Sequence, residues 1–185
     1  MVGLHGDAAN GDHGLVQVDA DLESGDVVLD ERIVGVDKSK VKYTTRDLIL
    51  SPEKAVDSRH ATAVDNLHII VGDRTLIGLE QEMMRQLGRE RRMKEALDPL
   101  LSHYDIVLID TPPSLGLVTI NALVASDAIL IPVQTEYFAL EGLALLAGTI
   151  REVRSLLNDR LGVDGVLPVS YTHLRAHETR HAIVC

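Results

Sequence analysis

The residue best placed to do chemistry is Asp110. It follows four apolar residues, Ile106-Val107-Leu108-Ile109, and precedes Thr111-Pro112-Pro113-Ser114-Leu115-Gly116. A short continuous apolar run reads as a strand buried on both faces, the usual strand of a parallel sheet. Two prolines cannot continue a hydrogen-bonded ladder, so the strand ends at the aspartate. A carboxylate is thereby left at the carboxyl end of a buried strand, where open α/β sheets bind ligands. The competing reading is an aspartate that only caps the next turn, and the local pattern leaves both open.

Other groups invite the same question. A phosphate-cradling loop needs glycines that expose backbone N–H groups and a lysine that reaches the phosphates. Glycines stand at positions 3, 6, 11 and 14, yet none of Lys38, Lys40, Lys42, Lys54 and Lys94 follows a glycine. His173, His177 and His181 recur every fourth residue, which would set three imidazoles on one helical face and allow a metal site. The other reading is a tail foreign to the domain. His60, His68 and His103 form no ligand pattern. Arg85, Arg89, Arg91, Arg92 and Lys94 could meet nucleic-acid phosphates, but Glu80, Glu82, Glu90 and Glu95 interleave with them and favour a charge-balanced helix surface. Lys38, Lys40, Lys42 and Arg46 read as a small solvated basic face.

These groups need elements to position them. Leu15–Ala20, Asn66–Gly72 and Asp127–Val133 read as further strands, and Gly165–Val169 begins another. Thr44-x-x-Asp47 resembles a capping box ahead of Leu48-Ile49-Leu50. Ser51-Pro52-Glu53 is a second helix start, with Pro at the first helical position. One helix is expected from about Leu76 to Leu100, with Leu79, Met83, Leu87, Met93, Leu97 and Leu100 near helical spacing and Gly88 a weak spot. Val118–Ser126 should cover the sheet. Glu141–Leu157 is the clearest helix, with Leu143, Leu146, Ile150, Val153 and Leu157 on one face. Strands alternating with helices in this rhythm mean a parallel α/β sheet.

Composition bounds the function. A chain of 185 residues is one domain with room for a real core. With 3% aromatic residues and no Trp, that core must be mostly aliphatic. No apolar run is long enough for a membrane helix, and the start has no signal-peptide pattern. Cys185 is the single cysteine, so no internal disulfide or cysteine-ligated cluster is expected and an intracellular setting is favoured. A net charge of −10 requires any nucleic-acid contact to use a local basic patch.

The stretch from Tyr104 to Gly116 resembles the Walker B and switch II region of the ParA/Soj family of partition ATPases. A second block, Ile131-Pro132-Val133-Gln134-Thr135-Glu136-Tyr137-Phe138-Ala139-Leu140-Glu141-Gly142-Leu143, is similar to that family in the same order. The resemblance covers roughly Gly35 to Leu167. It implies a P-loop-NTPase-like parallel sheet with helices on both faces, here incomplete, with the first strand, the P-loop and the C-terminal part missing. It implies ATP and Mg²⁺ as cofactors. Asp110 would hold the magnesium through a water, and Thr111 and Pro112 would belong to the switch that senses the γ-phosphate. Val18-Asp19-Ala20-Asp21 resembles the family's Asp-x-Asp strand end, which makes Asp21 the residue that would orient the attacking water. The next residues, Leu22-Glu23-Ser24-Gly25, depart from the family's Pro-Gln-Gly at that point.

The partners implied are a ParB-type protein, nonspecific DNA and a second copy in an ATP-closed homodimer, without a membrane, in a cytoplasmic and nucleoid-associated setting. The expected organisation is an unstructured leader over residues 1–14, a partial ParA-like ATPase domain over 15–169, and a non-family tail over 170–185. Without its P-loop such a chain should bind ATP poorly and be inactive. Two alternatives are a non-catalytic interaction module, which needs no nucleotide, and a MinD-like positioning ATPase.

Overall fold

The computed structural model describes residues 2–5, 15–19, 36, 40–112, 114–134 and 139–169. Within them the strands are β1 (Val2–His5), β2 (Leu15–Asp19), β3 (His60–Ala61), β4 (Leu67–Ile70), β5 (Ile106–Asp110), β6 (Ala128–Gln134) and β7 (Gly162–Val169). They form one 7-stranded sheet in the order β3-β4-β2-β5-β1-β6-β7. β2 is parallel to β4 and to β5, and β6 is parallel to β7. The alternation of strands and helices along the chain therefore gives the parallel sheet it predicts.

Two strands run the other way. β3 is a two-residue antiparallel edge on β4. β1 lies between β5 and β6 and is antiparallel to both, with Val2 opposite Ile109 on one side and Ile129 on the other. This corrects the reading of residues 1–14 as an unstructured leader: Val2–His5 is a strand. The physical reason is that β5 and β6 each present a row of backbone N–H and C=O groups, and buried groups of that kind must be paired. A short extended segment with Val2 and Leu4 in alternation suffices. Residues 6–14 and the histidine-bearing segment 170–185 lie outside the described residues.

The helices are α1 (Thr45–Leu50), α2 (Leu79–Met83), α3 (Arg92–Leu97), α4 (Leu117–Ala125) and α5 (Ala139–Leu156). α1 opens as its sequence predicts. The Thr44 backbone N–H donates to Asp47 Oδ2 at 3.0 Å, and the Thr44 hydroxyl donates to the same oxygen at 3.2 Å. The Ser51-Pro52-Glu53 start yields only a 3₁₀ turn, Pro52–Lys54.

The single helix expected from Leu76 to Leu100 is not there. The chain instead makes a 3₁₀ turn at Arg74–Gly78, then α2, a 3₁₀ turn at Arg89–Arg91, α3, and a 3₁₀ segment at Asp98–His103. Gly88, at φ +68°, adopts a left-handed conformation that a continuous α-helix does not hold, and it heads the 3₁₀ turn instead. Pro99 lacks the N–H that a continuing α-helix needs. The apolar spacing still marks the inner positions: Met83, Met93, Leu97 and Leu100 are all buried, whereas Leu87, beside the break, is 99% exposed.

In α5, Ile150 and Val153 are buried and Leu143, Leu146 and Leu157 pack partly against the core, as their spacing predicts. The far end of α5 is sewn to α4. Asn158 Nδ2 donates to the carbonyls of Leu123, Val124 and Ser126 at 3.1, 3.3 and 2.7 Å. It thereby satisfies acceptors that a helix C-terminus leaves without partners.

The core brings Leu48 and Ile49 of α1 against Ile70 of β4, Val107 and Ile109 of β5 and Leu123 of α4, all essentially inaccessible to solvent. Each such side chain contributes about 1.5–3 kcal/mol by leaving water. Burial of β5 on both faces is the expectation, but it holds on one only. Val107 and Ile109 are sealed, whereas Ile106 is 40% exposed. Leu130, Val163, Val166 and Leu167 on β6 and β7 are likewise exposed, so cover is thin on part of the sheet.

Candidate functional site

The carboxyl end of β5 carries the site. β5 lies parallel to β2, and the register sets Asp19 directly opposite Asp110. Two aspartates therefore end adjacent parallel strands at one level. Asp110 and Thr111 are half-buried and Pro112 is buried. Pro112 anchors the start of the loop by packing, and Ser114 and Leu115 then emerge into solvent. Asp21 lies outside the described residues, as do Pro113 and residues 135–138 of the second block. The strand ahead of Asp21 is β2, which places Asp19 beside Asp110 by backbone register alone.

The loop feeds α4, and α4 is held by polar side chains. Glu80, on α2, accepts from the Leu117 backbone N–H at 2.6 Å. The first N–H groups of a helix have no partner within it, and a carboxylate there also meets the positive end of the helix dipole. A Cβ at Gly116 would sit 2.2 Å from Glu80 Oε1, so a side chain there would displace the carboxylate. The Thr119 hydroxyl donates back to the Ser114 carbonyl at 2.6 Å, closing the loop on the helix.

Asn121 is buried and bridges α4 to the turn ahead of α3. Its Oδ1 accepts from the Met93 N–H at 3.0 Å, and its Nδ2 donates to the carbonyls of Arg89 at 2.8 Å and Leu117 at 3.0 Å. α2 is tied on its other side to α1, where Arg46 makes a two-pronged pair with Glu82 at 2.8 and 2.7 Å. Hydrogen bonding to Glu82 raises the Arg46 pKa further above its ordinary value.

Two grooves flank the loop. One, of about 600 Å³, is lined by Thr111, Pro112, Leu115, Thr119 and Leu145 among others, and opens at the ends of β5 and β6. The other, of about 420 Å³, lies between α2 and α4 and includes Glu80, Met84, Arg89, Glu90, Leu115 and Ile120. A hydrogen bond from its own backbone, together with Arg89, holds the Glu90 carboxyl below the usual carboxylate range.

Three of the five basic residues of this region meet carboxylates. Arg89 pairs with Glu90, Arg92 with Glu95 and Lys94 with Asp98. Among the described residues, no group of three or more His, Cys, Asp or Glu side chains converges as a metal cage, and no helix is long and apolar enough to cross a membrane.

Asp110, Thr111 and Pro112, expected from the sequence as site residues, run from the end of β5 into the loop. Sequence reasoning missed Glu80 and Asn121 as loop-holding residues. Asn121 carried a signal, being the one amide within the apolar run Leu117–Ala125. A buried amide demands partners. Glu80 carried none, since its contact is made 37 positions away.

Comparison with known proteins bears on this arrangement. The AAA domain family matches residues 12–163. Soj, the sporulation initiation inhibitor protein of Bacillus subtilis, is 45% identical over 134 residues, which are 72% of this chain and 53% of that protein. The chromosome partitioning protein ParA of Myxococcus xanthus is 40% identical over 134 residues, 72% of this chain and 47% of that protein. This chain thus spans about half the length of the relatives it matches.

Among solved structures, cobyrinic acid a,c-diamide synthase from Mycobacterium smegmatis, with bound ATP analogue and magnesium, superposes with a TM-score of 0.77. It is 28% identical, and the match covers 89% of this chain and 66% of that one. A plasmid partition protein from Borrelia burgdorferi superposes with a TM-score of 0.67 at 22% identity, covering 94% of this chain and 71% of that one, a likeness of fold. The α/β sheet is thus that of the P-loop-NTPase-like proteins. The family match and the named relatives agree: the chain belongs to the ParA/Soj family.

Proposed function

We propose that this chain carries the magnesium-handling strand and the switch loop of an ATPase that acts in chromosome or plasmid partition. The observation that carries the proposal is Asp110 at the carboxyl end of β5, level with Asp19 of β2 and followed at once by a loop that enters α4. The donor set fits the cation. Mg²⁺ prefers oxygen ligands, keeps several waters, and is usually held by one or two carboxylates together with substrate phosphates rather than by an all-protein cage. Asp110 would hold it through a water. When bound with ATP, the ion supplies charge neutralisation at the transferring phosphate.

The chain's own residues do the rest. Asp110 fixes the start of the loop, because its backbone is locked in the ladder with β2. Thr111, half-buried, and Pro112, buried, would belong to the switch that senses the γ-phosphate. Asp21, two positions beyond the end of β2, would orient the attacking water. ATP-closed homodimerisation, nonspecific DNA binding, a ParB-type partner and a nucleoid-associated cytoplasmic setting would complete the reading, as the ParA/Soj resemblance implies. These 185 residues contain no lysine after a glycine, so on their own they lack the phosphate cradle and should bind MgATP weakly and fail to hydrolyse it.

The test is a chimera in which residues 36–169 replace the matching stretch of B. subtilis Soj. A chimera that hydrolyses ATP, with Asp110→Ala abolishing turnover, supports the reading. A folded chimera without ATPase activity sinks it. For the isolated chain, titration with MgATP should show no saturation by ~1 mM, the upper end of usual enzyme affinities; a micromolar site would overturn the claim of weak binding.

A further inference from the structure

We propose that Glu80 is a positioning residue for the loop between β5 and α4: its carboxylate pins the entrance of α4 and so fixes where residues 114–116 can lie. The loop leaves β5 at Asp110, which the β2 ladder holds. It enters α4 at Leu117, whose N–H is held by Glu80 at 2.6 Å. The Thr119 hydroxyl donates to the Ser114 carbonyl at 2.6 Å and ties residue 114 to the same helix end.

The contact is selective by shape as well as charge. Gly116 has φ −83° and ψ −173°, a backbone conformation open to any residue. Nothing in its backbone therefore calls for glycine. What a side chain would meet there is Glu80 itself, with Oε1 2.2 Å from the site of a Cβ. The glycine thus leaves the space in which the carboxylate reaches the helix end.

Glu80 also connects the loop to the surface beyond it. It sits on α2, which Glu82 ties to Arg46 of α1, so displacement of the loop pulls on an element already anchored on its far side. That the loop senses a nucleotide rests on the ATPase reading; that Glu80 positions it does not.

Amide hydrogen exchange by NMR on the full 185-residue chain, without nucleotide, reads the contact directly. In Glu80→Ala the Leu117 amide should exchange about tenfold faster, the loss expected for one hydrogen bond to a charged acceptor. Ser114–Gly116 should follow, and the Val107 and Ile109 amides should not change. Glu80→Gln keeps an acceptor and should restore most of the protection. Gly116→Ala should accelerate Leu117 to a similar extent by evicting the carboxylate, and the double variant should be no faster than either single one. Glu82→Ala should leave Leu117 unchanged.

Unchanged Leu117 exchange in Glu80→Ala or in Gly116→Ala overturns the proposal. So does acceleration spread evenly through the core, or a failure of Glu80→Gln to recover protection. An inactive Soj chimera would remove the ATPase reading and leave these exchange results standing.

Discussion

Replacing Asn121 by Ala should be among the more damaging single changes in α4, and the structure sets the size. The side chain is buried and makes three hydrogen bonds, accepting from the Met93 N–H and donating to the Arg89 and Leu117 carbonyls. The Leu117 carbonyl stands one helical turn back and keeps the backbone N–H of residue 121 as a partner. The Arg89 carbonyl heads the 3₁₀ turn Arg89–Arg91 and keeps a backbone partner there, but the Met93 N–H, in the first turn of α3, loses its own. A buried polar group left without a partner costs about 1–3 kcal/mol, so roughly 2 kcal/mol is expected. With a urea m-value of about 2 kcal/mol/M for a chain of this size, the midpoint should fall by roughly 1 M at unchanged slope. Asn121→Asp restores the acceptor but sets a carboxylate against two carbonyls, so it should rescue little. The assay is urea unfolding followed by circular dichroism. A midpoint shift below about 0.3 M in Asn121→Ala would mean that the bridge contributes no more than a surface contact, and the account of how α4 docks would fail.

Three further outcomes are expected. Burial lowers the His68 pKa, and the nearby Arg59 charge lowers it further. Between that lowered value and the ordinary 6.5 the unfolded chain binds a proton that the native state does not, so stability should fall as pH drops below about 6.5. His68→Phe, which keeps an aromatic ring against Tyr104, should flatten that slope in urea unfolding measured at several pH values. Gly88→Ala places a side chain at φ +68° and should cost about 1 kcal/mol, seen as a Tm lower by roughly 2–4 °C. Arg46→Ala breaks the pair with Glu82, whose side chains are 29% and 46% exposed. It should cost less than about 1 kcal/mol, and the loss should shrink in salt; a larger, salt-independent loss would show that α2 depends on that pair more than its exposure implies.

The sequence was most legible where one physical demand acted alone. Ile106–Ile109 read as a strand because four apolar residues are stopped at once by prolines, and that strand carries Asp110 at its carboxyl end. α5 was legible because its apolar side chains repeat every three or four residues along its length. The segment from Leu76 to Leu100 was not, because two demands conflicted. Its apolar spacing suited one helix, while Gly88 and Pro99 broke the backbone that would have carried it. The buried positions were right and the element was wrong. β1 was hidden for another reason: Val2–His5 has no pattern that distinguishes it from loop, and its pairing is set by the open edges of β5 and β6. The roles of Glu80 and Asn121 depend on which distant backbone groups lack partners, which is a property of the assembled fold.

β1 has one more implication, for the handling of the protein. Adjacent strands lie about 4.8 Å apart, so β5 and β6 stand roughly 10 Å from one another with four residues wedged between them. That wedge is held by one ladder of four residue pairs and another of two. If it slips out, two facing edges open in the middle of the molecule rather than at its rim. Any extended peptide with apolar residues in alternation can then take its place, in either direction, including Val2–His5 of a neighbouring molecule. Chain exchange and concentration-dependent clumping are therefore the expected outcome of losing β1, and a short synthetic copy of β1 added in excess should slow both.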